Sequence, residues 1–405
     1  MKIVILVCVV AVCLAAEERS FLDGFVGLLR SFKLNSLGRR RMDVQSPRVF
    51  RMLTNRKKLQ DVVPESKPFP CDPTVGYRSK TVPRSVHKLR PGDIDVIGAM
   101  GDSLTAGFGL SATNLMGIAI ENRGKSFSIG GEENWRTFFT LPNVLKVFNP
   151  KLIGYSYNTS LTIERASQFN VAEGGAVSKN MPYMAKVLIT RIKNDKRVNL
   201  QKDWKMITFM IGDNDFCSEM CYSDLESTLK RHKDELRTVL RLLRDNLPRT
   251  IVNVIPPPHL KILTQMDKKP EVCELTHLAS CPCLIGSTYR NNREQYFEFM
   301  RRWQLADIEV SNESEFDTNE FTVVPLMYTL NYTFPRTSSG DIDYSFLSED
   351  CFHLSQKGNA RFANDLWNNL MEPFGKKSTD GSALLTKFNC PTKKHPYIFT
   401  RRNSN

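Results

Sequence analysis

The sequence predicts an α/β protein, a three-layer α/β/α sandwich built on a mainly parallel five-stranded sheet. From Ile94 onward, short β-rich apolar runs alternate with longer stretches of helical periodicity, which is how a parallel sheet covered by helices reads along a chain. Five such runs, at residues 94–100, 167–172, 205–211, 250–255 and 321–327, are short and apolar enough for buried strands. The clearest helix, residues 223–247, carries Leu225, Leu229, Leu236, Leu240, Leu243 and Leu247 along one side. Ser223 and Glu226 form an S-x-x-E capping box at its start. Residues 179–194, 289–308 and 355–370 supply three more helices.

Three segments follow from composition. Residues 1–16 read as a secretory signal peptide: Met1-Lys2, an apolar run over 3–14, then Ala15-Ala16 before Glu17-Glu18. The apolar run falls short of the roughly 20 residues that span a bilayer, so cleavage and secretion are the expectation. Residues 17–92 form a basic lead-in and linker, and residues 93–395 the folded domain. Of the net charge of +13, a large share lies in front, where twelve lysines and arginines face six acidic residues over 17–68. A solvated lead-in is the plain reading of this excess, and peripheral contact with an anionic membrane surface is the partner it would suit. Phe21, Phe25, Leu29 and Phe32 have the spacing of an amphipathic helix there. Nucleic acid is not expected, since no zinc-finger or RNP-type signature is present.

The chain has ten cysteines. With Cys8 and Cys13 removed in the leader, an even set remains in a chain bound for an oxidising compartment, so disulfides are expected. Cys217 and Cys221 could close a short loop, and Cys71 and Cys390 bracket the domain, although spacing does not prove pairing. Cys273, His277, Cys281 and Cys283 are metal-ligating types without clean CxxC or HxxxH pairs, so no metal is assigned to them. Asn158, Asn312 and Asn331 begin N-x-S/T triplets that suit a glycosylated surface.

The first strand runs into Gly101-Asp102-Ser103-Leu104-Thr105-Ala106-Gly107. That places Ser103 at the carboxyl end of a parallel strand, where such sheets bind ligands. A serine hydroxyl attacks only when a base accepts its proton and a third group orients that base. His353 has a carboxylate three residues before it, Asp350, whereas His87, His232, His259, His277 and His395 lack such a partner in sequence and read as surface residues. Acyl transfer also needs donors for the oxyanion. Two further strand ends offer them: Asn170-Val171-Ala172-Glu173-Gly174-Gly175, with a glycine backbone N–H, and Gly212-Asp213-Asn214-Asp215, with a side-chain amide.

In this order the four blocks resemble the SGNH (GDSL) hydrolase superfamily. The resemblance implies a flavodoxin-like sandwich, with Ser103 as nucleophile, His353 as acid and base, and Asp350 as its orienter. It assigns the oxyanion to the Ser103 N–H, the Gly175 N–H and Asn214; the spacing of five from Asn170 favours Gly175 over Gly174. No cofactor is required. No G-x-S-x-G surrounds any serine, which disfavours an α/β-hydrolase elbow.

A closer likeness is to the animal phospholipase B branch. It rests on Arg123-Gly124, Ser128-Ile129-Gly130-Gly131, Thr140-Leu141-Pro142-Asn143, Phe148-Asn149-Pro150 and Asp350-Cys351-Phe352-His353-Leu354-Ser355. Phe108 stands where that likeness expects a more polar residue. The implied substrate is a phospholipid or lysophospholipid. Two other readings are an esterase for short-chain or acylated carbohydrate esters and a non-enzymatic binder of anionic lipid or glycan.

Overall fold

The computed structural model describes residues 46–404. The expected leader and the amphipathic stretch at 21–32 lie outside the described residues. Four parallel strands, β1 (Ile94–Gly101), β2 (Trp204–Met210), β3 (Thr250–Ile255) and β4 (Phe321–Pro325), pair in that order. Both sheet faces are buried, which is why the strands read as continuous apolar runs.

Period-2 alternation sorts the strand residues into two cores. Val96, Met100, Ile207, Phe209, Val252 and Val254 face one way; Ile97, Ala99, Met206, Met210, Ile251 and Ile255 face the other. Eight helices matter here: α1 (Pro47–Asn55), α2 (Ser103–Ala106), α3 (Leu141–Phe148), α4 (Met181–Asn194), α5 (Leu225–Asn246), α6 (Glu271–Ser280), α7 (Arg293–Ser311) and α8 (Gln356–Leu370). Helices α4 and α5 cover the first face, and α3 and α8 the second. Among the described residues no helix is long and apolar enough to cross a membrane.

Two local expectations are corrected. Residues 167–172 do not form a fifth strand: only Asn170 bridges Ala99, parallel to β1. Gln168 adopts φ 49°, a left-handed conformation that interrupts an extended run, and the outward carbonyls of Asn170 and Ala172 accept from the Arg123 guanidinium (3.1 and 2.7 Å) instead of from another strand. The segment still occupies the edge position beside β1. Helix α5 begins one residue later than the S-x-x-E pattern suggests, because Asp224 caps it by accepting the Ser227 N–H at 2.8 Å. Glu226 pairs instead with Arg302 of α7.

Residues 46–92, expected as a linker, pack on the domain. Leu53 of α1 is fully buried, and Gln60, also buried, accepts the Phe139 N–H on its side-chain oxygen at 2.7 Å and donates its backbone N–H to Gln356 Oε1 at 2.7 Å. The Cys71–Cys390 disulfide joins the two ends of the domain. The short Cys217–Cys221 loop is not made: Cys217 bonds Cys281, Cys221 bonds Cys283, and Cys273 bonds Cys351. Three of the four residues with metal-ligating side chains are thereby committed to disulfides.

Candidate active site

Every candidate residue lies at the carboxyl edge of the sheet. At the end of β1 the chain turns through Gly101 (φ 149°), where Asp102 caps α2 by accepting the Leu104 N–H at 2.9 Å. Ser103 is the first residue of that single turn. The loop that follows β4 returns over it, placing His353 Nε2 at 2.8 Å from Ser103 Oγ and His353 Nδ1 at 2.6 Å from Asp350 Oδ2. An ionised carboxylate only accepts, so the hydrogen bond puts the imidazole proton on Nδ1 and leaves Nε2 to take the hydroxyl proton. Asp350 Oδ1 accepts the backbone N–H groups of Phe352 (3.2 Å) and His353 (3.0 Å), so four residues of one turn fix the carboxylate and the ring together.

Two loops at the carboxyl edge carry the remaining candidates, one after the Asn170 bridge and one after β2. Gly175 is exposed in the loop after Asn170 at φ 79°, a conformation glycine adopts freely. Asn214 follows β2, and its Nδ2 donates to Ala176 O at 2.8 Å, joining the two candidate donor loops. Among the described residues, no acceptor pairs with the backbone N–H of Ser103 or of Gly175. Phe108 lies roughly parallel to the His353 ring, 5.8 Å between centroids, and covers it where a polar residue was expected.

The GDSL-like lipase/acylhydrolase family model matches residues 97–366, which include all five candidates. The chain belongs to this family. Human membrane-associated phospholipase B1 is 38% identical over 329 residues, covering 80% of this chain and 22% of the relative. The mouse protein of the same name is 35% identical over the same extent. The chain thus spans about a fifth of the length of these relatives. Among solved structures, a phospholipase A1 from Streptomyces albidoflavus is 13% identical with a TM-score of 0.29, covering 66% of this chain and 95% of that one.

The electrostatics of this GDSL site favour a charged His353. Burial alone would depress the imidazole, but the charge of Asp350, the hydrogen bond to it and the charge of Asp102 outweigh burial and raise it above its ordinary value. Asp350 is held below the ordinary carboxylate range: burial works against this, and His353 and two backbone N–H groups overcome it. Burial pushes Asp102 up to about 6 despite the Leu104 N–H and the nearby His353. Asp213, buried near Asp102 and Asp215, is pushed well above the ordinary range by burial and then by those two charges.

A base must be deprotonated to act, so kcat/KM should fall as pH drops through an acid limb lying above the ordinary imidazole value of about 6.5. Removing a negative charge that favours the imidazolium lowers its pKa. Asp102→Asn is therefore expected to move that limb to lower pH, and a pH–rate profile with the limb unmoved would refute the coupling.

Several supporting residues carried no local signal. Arg123, fully buried, donates from Nη1 to Asn170 O and Oδ1 (3.1 and 3.0 Å) and from Nη2 to Ala172 O (2.7 Å); it also pairs with buried Glu121 at 2.6 Å. Asn170 Nδ2 in turn donates to Thr105 O at 3.0 Å, linking the glycine loop to α2. His87, His232 and His277 are buried rather than on the surface: partners remote in sequence meet both ring nitrogens of His87 and His232, while His277 meets Cys351 O through Nε2 and nearby Lys269 through Nδ1. His232 even forms a second Ser-His-Asp line, with Ser178 Oγ at 2.7 Å and Asp307 Oδ1 at 2.9 Å. All three of its members are buried, and the Ser178 N–H donates to Asp215 Oδ1 and Oδ2 (3.2 and 3.0 Å), so this line braces the Asn214 segment. A cavity of about 370 Å³ between residues 220–226 and 292–302 contains none of the five candidates.

Proposed function

We propose that this protein is a secreted phospholipase B-like hydrolase that cleaves acyl esters of phospholipids and lysophospholipids. The observation that carries the reading is the unbroken line Ser103–His353–Asp350 with separations of 2.8 and 2.6 Å, in a chain 38% identical to a phospholipase B1. Ser103 Oγ attacks the ester carbonyl as its proton passes to His353 Nε2. The Ser103 N–H, the Gly175 N–H and Asn214 Nδ2 receive the oxyanion. Collapse expels the lysolipid or glycerophospho alcohol, which takes the proton from His353 and leaves the acyl group on Ser103. Water, deprotonated by His353, then releases the fatty acid.

The apolar run at 3–14 and four disulfides among the described residues support secretion. A net charge of +13 supports peripheral attraction to anionic membranes.

The test presents purified protein with long-chain phosphatidylcholine, its lysolipid, a short-chain ester and an acetylated sugar, and measures acyl release. Fatty acid release from both lipids is expected. Cleavage confined to the short-chain or sugar ester would replace the phospholipid reading with the esterase one, and a folded protein whose Ser103 never reacts with a fluorophosphonate would support a binding role.

A further inference from the structure

Three residues on one face of α6 grip the backbone of the turn that carries Asp350 and His353. Cys273 forms its disulfide with Cys351, Thr276 Oγ1 lies 3.0 Å from Asp350 O, as it does from Val272 O of its own helix, so its one proton is shared between them, and His277 Nε2 lies 3.0 Å from Cys351 O. Positions i, i+3 and i+4 share a helix face, so one helix makes all three contacts at once. A carbonyl only accepts, so His277 carries its proton on Nε2, and its Nδ1 is free to accept from Lys269 Nζ at 3.3 Å.

The gripped residue is held in an unusual conformation. Cys351 has φ 54°, in the left-handed region that a residue with a Cβ enters at a cost. That conformation lets the Asp350 carboxylate turn back onto the N–H groups of Phe352 and His353. Ser348 closes the same turn, donating its N–H to His353 O at 2.8 Å and accepting the Cys351 N–H at 3.2 Å.

The other end of the same segment is fastened beside the oxyanion side. Just past α6, Cys281 and Cys283 bond Cys217 and Cys221, which follow Asn214 by only a few residues. A covalent path therefore runs from the Asn214 segment through α6 to Cys351, one of the two residues between Asp350 and His353.

We propose that α6 is a positioning device for catalysis: it fixes the turn bearing the acid–base pair and sets its distance from the oxyanion donor Asn214. Cys273, Thr276 and His277 act through Asp350 and His353 and touch no substrate. The proposal rests on the catalytic roles given under Proposed function.

The test compares Cys273→Ala/Cys351→Ala and Thr276→Val with the control Cys71→Ala/Cys390→Ala, using a soluble ester and the rate of fluorophosphonate labelling. The control bond closes a loop of 319 residues against 78, so loop-closure entropy makes its loss at least as damaging to stability. Small misplacements of reacting groups cost up to about 100-fold. The α6 disulfide variant should therefore lose about 10- to 100-fold in kcat and in labelling rate, with KM within about twofold of wild type. Thr276→Val should lose less in the same direction, and the control should keep wild-type kcat while melting earlier.

If the α6 variants melt earlier with kcat unchanged, or if the control loses kcat equally, the proposal is overturned. Labelling does not depend on phospholipid turnover, so wild-type protein that labels but spares phosphatidylcholine refutes the substrate reading alone. Wild-type protein that never labels refutes both.

Discussion

Replacing Ser103 with alanine is expected to lower kcat for ester hydrolysis by about a millionfold, with binding and folding nearly unchanged. The side chain removed is small, and among the described residues its Oγ has a single hydrogen-bond partner, His353 Nε2 at 2.8 Å. In the proposed mechanism, loss of the nucleophile disables the base as well, since His353 then has no hydroxyl to deprotonate, and members of such a unit fail together. The oxyanion donors remain, so a residual rate above that of water should persist. Parallel assays of wild type and variant on one soluble ester, with thermal unfolding of both, check this. A variant that keeps more than about a hundredth of wild-type kcat would remove Ser103 from the mechanism.

Arg123→Met is expected to be among the most destabilising single substitutions in the domain, at about 3–5 kcal/mol, because it removes the cation from a buried ion pair and several buried hydrogen bonds in one step. Arg123 is fully buried; its guanidinium pairs with Glu121 and donates to the carbonyls of Ser160, Asn170 and Ala172 and to Thr162 Oγ1. Methionine fills similar space but offers no donor, so those acceptors lose their partner at once. The loop from Asn170 to Gly175 loses its edge support in the same step, so turnover should fall in the fraction that remains folded. Denaturant titration gives the stability change. A loss below about 1 kcal/mol would mean that neighbouring groups or water replace the arginine, and in that case Glu121→Gln in the Arg123→Met background should have little further effect.

The two substitutions mark the boundary of what was legible in the chain. Ser103, Asn214, Asp350 and His353 stood out as candidates because each closes a short motif at a predicted strand end or turn, and because the carboxylate and the imidazole lie three residues apart. Arg123 was noticed only within a resemblance, since nothing in its local pattern distinguishes a buried arginine from a surface one. The buried histidines were misread for the same cause: His232 finds Ser178 and Asp307 at separations of 54 and 75 residues, beyond any spacing rule. The missing fifth strand has a local cause, the left-handed Gln168, that strand propensity does not register.

By itself the sequence determined the layered fold, four of its five expected strands and the candidate residues for acyl chemistry, because periodicity and short-range motifs depend on neighbours a few residues apart. Only the tertiary structure decided how those residues are held. Cysteine partners, the Arg123 hub and the grip of α6 on Cys351 join segments that are neighbours only after the sheet closes and its helices pack, and no local preference encodes which remote group will be there to meet them.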